Sequence, residues 1–220
     1  MSASQDATVK LFDLSTGECT RTFASPHDDY VRSASFVPAA PSLVLSGAYD
    51  GRIRLFDSRA QENDGLVWQA DHGRPVESVL IAPEGTTAVS AGGPVVRVWD
   101  LLAATTGGAG GEDAPLSGEG SAQCIRAMAN HQKTISTLAW AHADAPGQAG
   151  ATEKRLLSGG LDGLVKVYDP QRNWNVRHTM RYGGQVLSLA VSVRSFVLSK
   201  PTETYADVRA LTIHSPTRRT

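Results

Sequence analysis

Val9-Lys10-Leu11-Phe12-Asp13 is one of four stretches in this chain with a single order of residue types: apolar, basic, apolar, aromatic, aspartate. The others are Ile53-Arg54-Leu55-Phe56-Asp57, Val96-Arg97-Val98-Trp99-Asp100 and Val165-Lys166-Val167-Tyr168-Asp169. Their aspartates lie 44, 43 and 69 residues apart. Four copies at a period of about 44 residues mean one supersecondary unit built repeatedly, which fixes the architecture and moves the question of function from a pocket to a surface.

Residues 30–69 form the clearest copy. Tyr30 to Val37 is extended and rich in β-formers, and Pro38 ends it. Leu43 to Ser46 is a short apolar strand, and Asp50-Gly51 supplies the backbone freedom of a tight hairpin turn. Arg52 to Asp57 alternates with period two, and Val67 to Ala70 makes a fourth strand after a polar loop. Four short antiparallel strands per repeat is the pattern of a β-propeller blade.

The same reading places strands at 76–82, 87–91, 95–101 and 123–128, then at 134–140, 155–158, 164–169 and 176–181. A strand at 186–192 opens a further unit whose third strand falls at 211–215. The N-terminus starts inside a repeat, with 9–13 as a third strand and 20–23 as a fourth. The expectation is an all-β propeller of about four and a half blades out of seven, with four antiparallel strands per blade. The blades fall at 1–24, 27–70, 72–129, 131–182 and 183–215, with a tail at 216–220. A propeller hides its edges by closing a ring, so the chain reads as part of a longer one.

With 41% hydrophobic and 20% charged residues, the 220-residue chain has the composition of an ordinary soluble globular protein. A net charge of −1 gives no global attraction to nucleic acid or anionic membrane, so RNA contact requires a local cluster of Lys and Arg. No apolar run approaches the ~20 residues that span a bilayer. Met1 to Asp6 shows no secretory signal pattern. Cys19 and Cys124 fall at equivalent points of separate repeats, too far apart to pair, and are expected as buried reduced thiols.

The repeats resemble the WD-repeat family. There, a His before the first strand, a Ser or Thr on the second, an Asp in the following turn and an aromatic on the third form a buried hydrogen-bonded set. His27, Ser46, Asp50 and Phe56 match one copy, and His131, Ser158, Asp162 and Tyr168 another. The middle copy has His72, Ser90 and Trp99, but Gly93 stands where the Asp would be and the turn is one residue shorter. Ser, His and Asp together also describe a hydrolase triad. The set recurs once per blade, however, whereas an enzyme needs one site, and buried polar groups must find partners. The expectation is a structural set, with no catalytic residue, cofactor, metal ligand or small-molecule substrate. The basic residue of each motif is expected to lay its stem along the sheet and its head in water.

A narrower resemblance lies in His72-Gly73-Arg74-Pro75-Val76-Glu77-Ser78-Val79-Leu80, Pro83-Glu84-Gly85 and Val89-Ser90-Ala91-Gly92-Gly93. Asn130-His131-Gln132-Lys133-Thr134 and Ser158-Gly159-Gly160-Leu161-Asp162 add to it. These stretches resemble the U-three small nucleolar RNA-associated protein 15 family over about residues 4–192, most specifically 71–101. The resemblance implies a non-catalytic scaffold subunit of the small-subunit processome. Its place would be the nucleolus, in pre-ribosomal RNA processing and in support of ribosomal RNA transcription. Its implied partners are other processome subunits, themselves WD-repeat proteins. Pre-ribosomal RNA and the U-three small nucleolar RNA particle are reached indirectly, and no membrane is involved. The family also carries a C-terminal helical domain, which this chain reads as lacking together with the first blades. Two alternatives remain. Phe56-Asp57-Ser58-Arg59 resembles, without its Trp, the Trp-Asp-x-Arg signature by which ubiquitin-ligase substrate receptors dock an adaptor. The chain also fits another WD-repeat interaction scaffold.

Insertions at 103–123 and 142–153 stretch the last period. The first centres on Gly107-Gly108-Ala109-Gly110-Gly111, reads as a flexible loop, and lacks the Lys-Ser/Thr ending of a phosphate loop. One joins third to fourth strands and the other first to second, so both are expected at the same end of their blades. The opposite end carries His27, Asp28, Asp29, Tyr49, Arg74, Lys133 and Arg181. Tyr49, Arg74 and Arg181 are the candidate partner contacts, since exposed aromatics and arginines anchor interfaces. Arg218-Arg219 is too small a cluster to argue RNA binding.

Overall fold

The structure, a computed structural model, describes residues 1–24, 26–38, 40–60, 62–101, 124–144, 152–191 and 208–211. It is built from strands in chain order: β1 (Ser2–Ala3), β2 (Val9–Phe12), β3 (Cys19–Phe23), β4 (Val31–Val37), β5 (Ala40–Ala48), β6 (Arg52–Asp57), β7 (Leu66–Asp71), β8 (Val76–Ile81), β9 (Thr87–Gly92), β10 (Val95–Asp100), β11 (Cys124–Met128), β12 (Ile135–Asp144), β13 (Thr152–Gly160), β14 (Leu164–Asp169), β15 (Asn175–Arg181), β16 (Ser188–Val191) and β17 (Val208–Leu211). Each strand pairs antiparallel with the next to give sheets β1–β3, β4–β7, β8–β11, β12–β15 and β16–β17. Four-stranded antiparallel sheets in chain order, with no α-helix among the described residues, fit part of a WD β-propeller. The chain divides into two compact units, Met1–Asn130 and His131–Thr220.

In the first unit the sheets pack face to face, so inner strands are buried on both sides. Ile53 and Leu55 of β6 join Val76, Val79, Ile81 and Trp99 in one core. Phe56, on the opposite face of the same strand, joins Val9, Phe23 and Val44 in another. The Trp68 and Trp99 rings meet edge to face with centroids 6.3 Å apart, and Phe23 and Phe56 meet at 5.1 Å. In the second unit Leu157, Val165, Val186 and Leu189 form a core of the same kind. In all four motifs the third-to-fourth strand ladder slips at the aromatic, at Leu11/Phe12, Leu55/Phe56, Val98/Trp99 and Val167/Tyr168. A bulge at this point adds twist to a short sheet.

Several expectations need correction. β1 is an additional strand, pairing Ser2 with Lys10. β17, at Val208–Leu211, is a further additional strand and pairs with β16; of the strand expected at 211–215, residues 212–215 lie outside the described residues. β5 is longer than its apolar stretch because the ladder slips between Phe36 and Val37, where Pro41 needs no partner for an N–H it lacks. The second insertion is partly a hairpin, since β12 and β13 stay paired out to Asp144 and Thr152. Residues 102–123 and 145–151, and with them the expected common projection of the insertions, lie outside the described residues. Cys19 is exposed and Cys124 partly so, both as free thiols. Each opens a fourth strand opposite the bulged aromatic, Phe12 or Trp99, on its sheet's edge.

The serine of the second strand is followed by a small residue each time: Gly47, Ala91 and Gly159. A Cβ on Gly47 would lie 2.6 Å from Val79 Cγ1 and 2.7 Å from Val76 Cγ1. Gly47→Ala is therefore expected to destabilise the protein by about 1–3 kcal/mol through overpacking. Gly183→Ala, where a Cβ meets nothing within 4 Å, is the control. Equal urea midpoints for the two variants would show that the sheets do not approach this closely.

Candidate functional site

Each histidine of the repeated sets sits in the loop before a first strand and reaches across to the second strand and the turn after it. His27 Nε2 lies 2.7 Å from Ser46 Oγ, and its Nδ1 lies 2.9 Å from Asp50 Oδ2. Asp50 also accepts from the Asp28 amide at 3.2 Å, the Arg52 amide at 2.9 Å and Arg54 Nη1 at 3.2 Å. Burial alone would raise the Asp50 pKa, but the bonds from His27 and the backbone amides hold it down to about 2. Arg54 corrects the expectation of a basic head in water. It is buried, and besides Asp50 it donates to the side-chain oxygen Oε1 of Gln69 and to the Pro26 backbone carbonyl. Phe56 adds no donor and packs on Phe23.

The second unit repeats the arrangement. His131 Nε2 lies 2.7 Å from Ser158 Oγ, and Nδ1 lies 3.0 Å from Asp162 Oδ2. Asp162 accepts from the Gln132 and Leu164 amides at 2.9 and 3.1 Å. Tyr168 brings its hydroxyl within 3.4 Å of the same serine oxygen. Burial lowers the His131 pKa, so the ring is neutral at pH 7 with its proton on Nδ1, facing the carboxylate. Lys166, in the place of Arg54, turns to Thr179 instead.

The sheet β8–β11 solves the same problem without an aspartate. Trp99 Nε1–H donates to Ser90 Oγ at 2.8 Å. Ser90 lies 2.8 Å from His72 Nδ1, and His72 Nε2 lies 3.3 Å from the Gly92 carbonyl. A carbonyl only accepts, so the His72 proton sits on Nε2, and Nδ1 accepts from Ser90. This is the opposite tautomer to His131. Burial lowers the His72 pKa to about 4 against the raising effects of the Gly92 carbonyl and the Asp71 charge, and no carboxylate bonds the ring as Asp162 bonds that of His131. The Gly73 amide, which would face the missing aspartate, donates to Asp71 Oδ1 at 2.6 Å. Gly93 has φ 53°, and a Cβ there would lie 2.8 Å from Arg74 Cδ. The Arg74 side chain thus covers the point from which an aspartate would project.

Of the three candidate contacts, Tyr49 and Arg74 belong to the first unit and Arg181 to the second. Tyr49 is half-buried, donates to Glu77 Oε1 at 2.8 Å and lies beside Tyr30, with ring centroids 6.2 Å apart. Glu77 also takes Arg32 Nε at 3.2 Å. Arg74 is exposed in the first unit, and Arg181 is exposed at the end of β15 in the second. Arg59, of the adaptor-like stretch, is clamped on both oxygens of Asp57. Sequence reasoning gave no role to Asp71, Gln69 and Glu77, and it read Arg97 as a structural residue with its head in water. The adjacency of Asp71 to His72 and the four-residue step from Asp50 to Arg54 were the available signals. Among the described residues no group of His, Cys, Asp and Glu is placed to hold a metal ion, and no helix is long and apolar enough to cross a membrane.

The family model described as "WD domain, G-beta repeat" matches residues 17–57 and 122–169. Each match starts at a fourth strand, β3 or β11, and ends on the third-strand aspartate of the next sheet. "U3 small nucleolar RNA-associated protein 15" of Schizosaccharomyces pombe is 40% identical over 192 residues, 87% of this chain and 33% of the relative. The protein of the same name from Saccharomyces cerevisiae is 36% identical over 191 residues, 86% of this chain and 32% of the relative. The "U3 small nucleolar RNA-associated protein 15 homolog" of Xenopus laevis is 36% identical over 192 residues, 87% of this chain and 31% of the relative. The chain spans about a third of the length of these relatives.

The buried sets behave as structure, and two outcomes test this. Asp50→Ala strands a buried guanidinium and is expected to cost about 3 kcal/mol or more, whereas Asp162→Ala strands none and costs about 1–3 kcal/mol. Equal losses in urea unfolding would contradict the distinction. His72 binds a proton more readily unfolded, at 6.5, than folded, at about 4. Stability is therefore lost as pH falls through that window, by up to about 3 kcal/mol from this residue. His72→Asn should flatten the slope there, and an unchanged slope would refute it. Repeats, buried sets and relatives converge: the chain carries WD repeats and is homologous, over 87% of its length, to proteins named U3 small nucleolar RNA-associated protein 15.

Proposed function

We propose that the chain is a non-catalytic scaffold of the small-subunit processome. In this reading it acts in the nucleolus in pre-ribosomal RNA processing and supports ribosomal RNA transcription. The observation that carries this is the alignment of about 192 residues, 87% of the chain, which is longer than the matched WD stretches taken together. The relatives' names tie those proteins to U3 small nucleolar RNA. The buried sets support a role without catalysis: Ser46, Ser90 and Ser158 are fully buried, and each is bonded to the histidine of its own repeat. An activated nucleophile has to meet substrate, and these hydroxyls meet only the protein.

Partners in this reading are other processome subunits, with pre-ribosomal RNA and the U3 particle reached through them. Tyr49, Arg74 and Arg181 are proposed as contacts. The two arginines offer the stronger anchors because Tyr49 is already bonded to Glu77.

Affinity purification of the tagged chain, with RNA sequencing and mass spectrometry, tests the proposal. Enrichment of pre-ribosomal RNA and WD-repeat processome subunits is expected, with the proteins retained after ribonuclease treatment. A ubiquitin-ligase adaptor without ribosomal RNA would overturn it.

A further inference from the structure

In the sheet β4–β7 the third-strand arginine is neutralised within its own repeat: Arg54 Nη1 lies 3.2 Å from Asp50 Oδ2, and Asp50 is also the partner of His27. In β8–β11 the corresponding Arg97 remains and the aspartate does not, because its place is taken by Gly93. Arg97 Nε is buried with no hydrogen-bond partner. Its guanidinium carbon lies 6.0 Å from the Trp99 ring centroid, and its Nη2 would lie 3.9 Å from a Cβ on Gly73. Arg74 brings a second guanidinium to the same end of the sheet, with Nε and Nη1 at 3.6 and 3.8 Å from a Cβ on Gly93. The equivalent residues before the other sheets are Asp29 and Lys133; the β12–β15 repeat pairs Lys133 with Lys166 but keeps Asp162, so two guanidiniums without the aspartate occur in β8–β11 and in neither of these repeats. Neither arginine has a carboxylate within ion-pairing distance among the described residues, and the nearby Asp71 is engaged by the Gly73 amide.

We infer that the end of the β8–β11 sheet at Arg74 and Arg97 is a carboxylate-binding site whose ligand is a Glu or Asp side chain of a partner protein. A guanidinium presents paired donors in a planar fork that fits a carboxylate, and a buried N–H without an acceptor favours any ligand that supplies one. A carboxylate is also the group that the β4–β7 sheet places beside Arg54. A nucleic-acid strand fits less well. Its affinity grows with the number of phosphates neutralised, and here there are two guanidiniums with Asp71 and Glu77 on the same strand-loop-strand segment. The inference rests on reading the chain as an interaction protein, and it names the chemistry of one contact.

Binding of a fluorescent Glu-rich peptide to the full chain tests it, beside the same peptide with Gln for Glu and a uridine oligonucleotide of equal length. Arg74→Glu should weaken the Glu peptide about tenfold, the loss of one charge-assisted pair. Gly93→Asp should do the same by supplying a resident carboxylate, and Lys133→Glu should change little. Thermal melts check that each variant is folded, and Arg74→Glu decides alone if Gly93→Asp is not. Equal binding by wild type and Arg74→Glu overturns the site. Tighter binding of the oligonucleotide, lost in Arg74→Glu, overturns the choice of a protein side chain. Peptide binding that depends on Arg74 in a protein that does not purify with ribosomal RNA would sink the proposed function and leave this site standing.

Discussion

The hydroxyl of the second-strand serine is the point on which each repeat turns. Ser46, Ser90 and Ser158 are fully buried between packed sheets. A hydroxyl left there without a partner costs about 1–3 kcal/mol, comparable to the whole gain from burying a leucine. The histidine that answers it comes from the loop before the first strand, so bonding it ties that loop down onto the sheet. The loop in turn sets where the first strand enters and how near the neighbouring sheet approaches. That approach leaves no room for a Cβ at Gly47 or Gly159 and room for no more than a methyl group at Ala91. One polar contact thus sets both the loop geometry and the distance between sheets.

A neutral imidazole has one donor and one acceptor, so satisfying the serine leaves one ring nitrogen to be paired elsewhere. His131 donates to Asp162, and that aspartate can then cap two backbone amides. His72 turns its ring over and donates to Gly92 instead. This frees the turn from needing an acid, which is why Gly93 and a shorter turn are tolerated there. Trp99 completes the exchange: its indole N–H gives Ser90 a donor that Phe56 cannot give Ser46. The loss of an aspartate and the presence of a tryptophan are two parts of one solution. The residue left over is Arg97, whose counterpart Arg54 depends on the aspartate for its charge balance.

How much of this was legible follows from the kind of information each feature needs. Strand order came from a period of two inside a period of about 44, and both are one-dimensional. The approach of His27 to Ser46 and Asp50, or of His131 to Ser158 and Asp162, was suggested by a family pattern rather than by spacing. Side-chain direction was not legible. Arg54 looked like a surface residue because its strand alternates, yet inner strands here are packed on both faces and its head finds a carboxylate instead of water. Cys19 looked buried by residue type, but fourth strands are sheet edges. Tyr49 looked free because nothing local pairs with it; Glu77, its partner, is 28 residues away. The extension of β12 and β13 was hidden because residues with low strand propensity continue a ladder once their neighbours have set its register.

Repetition separates what the fold requires from what it permits. A feature present in every repeat answers a demand every repeat shares, so the Ser–His pairing carries no information about a partner. A feature found once answers something outside the fold. The WD model matches the repeats that contain Asp50 and Asp162 and passes over residues 58–121, which contain Gly93, whereas the relatives align over 192 of the 220 residues, too long a span to leave that segment out. The segment least like a generic WD repeat is therefore part of what this chain shares with them. A surface kept for a shared partner need not satisfy the common pattern, provided its buried groups are paired in another way. His72 and Ser90 are paired in this way, while the buried Arg97 Nε is not.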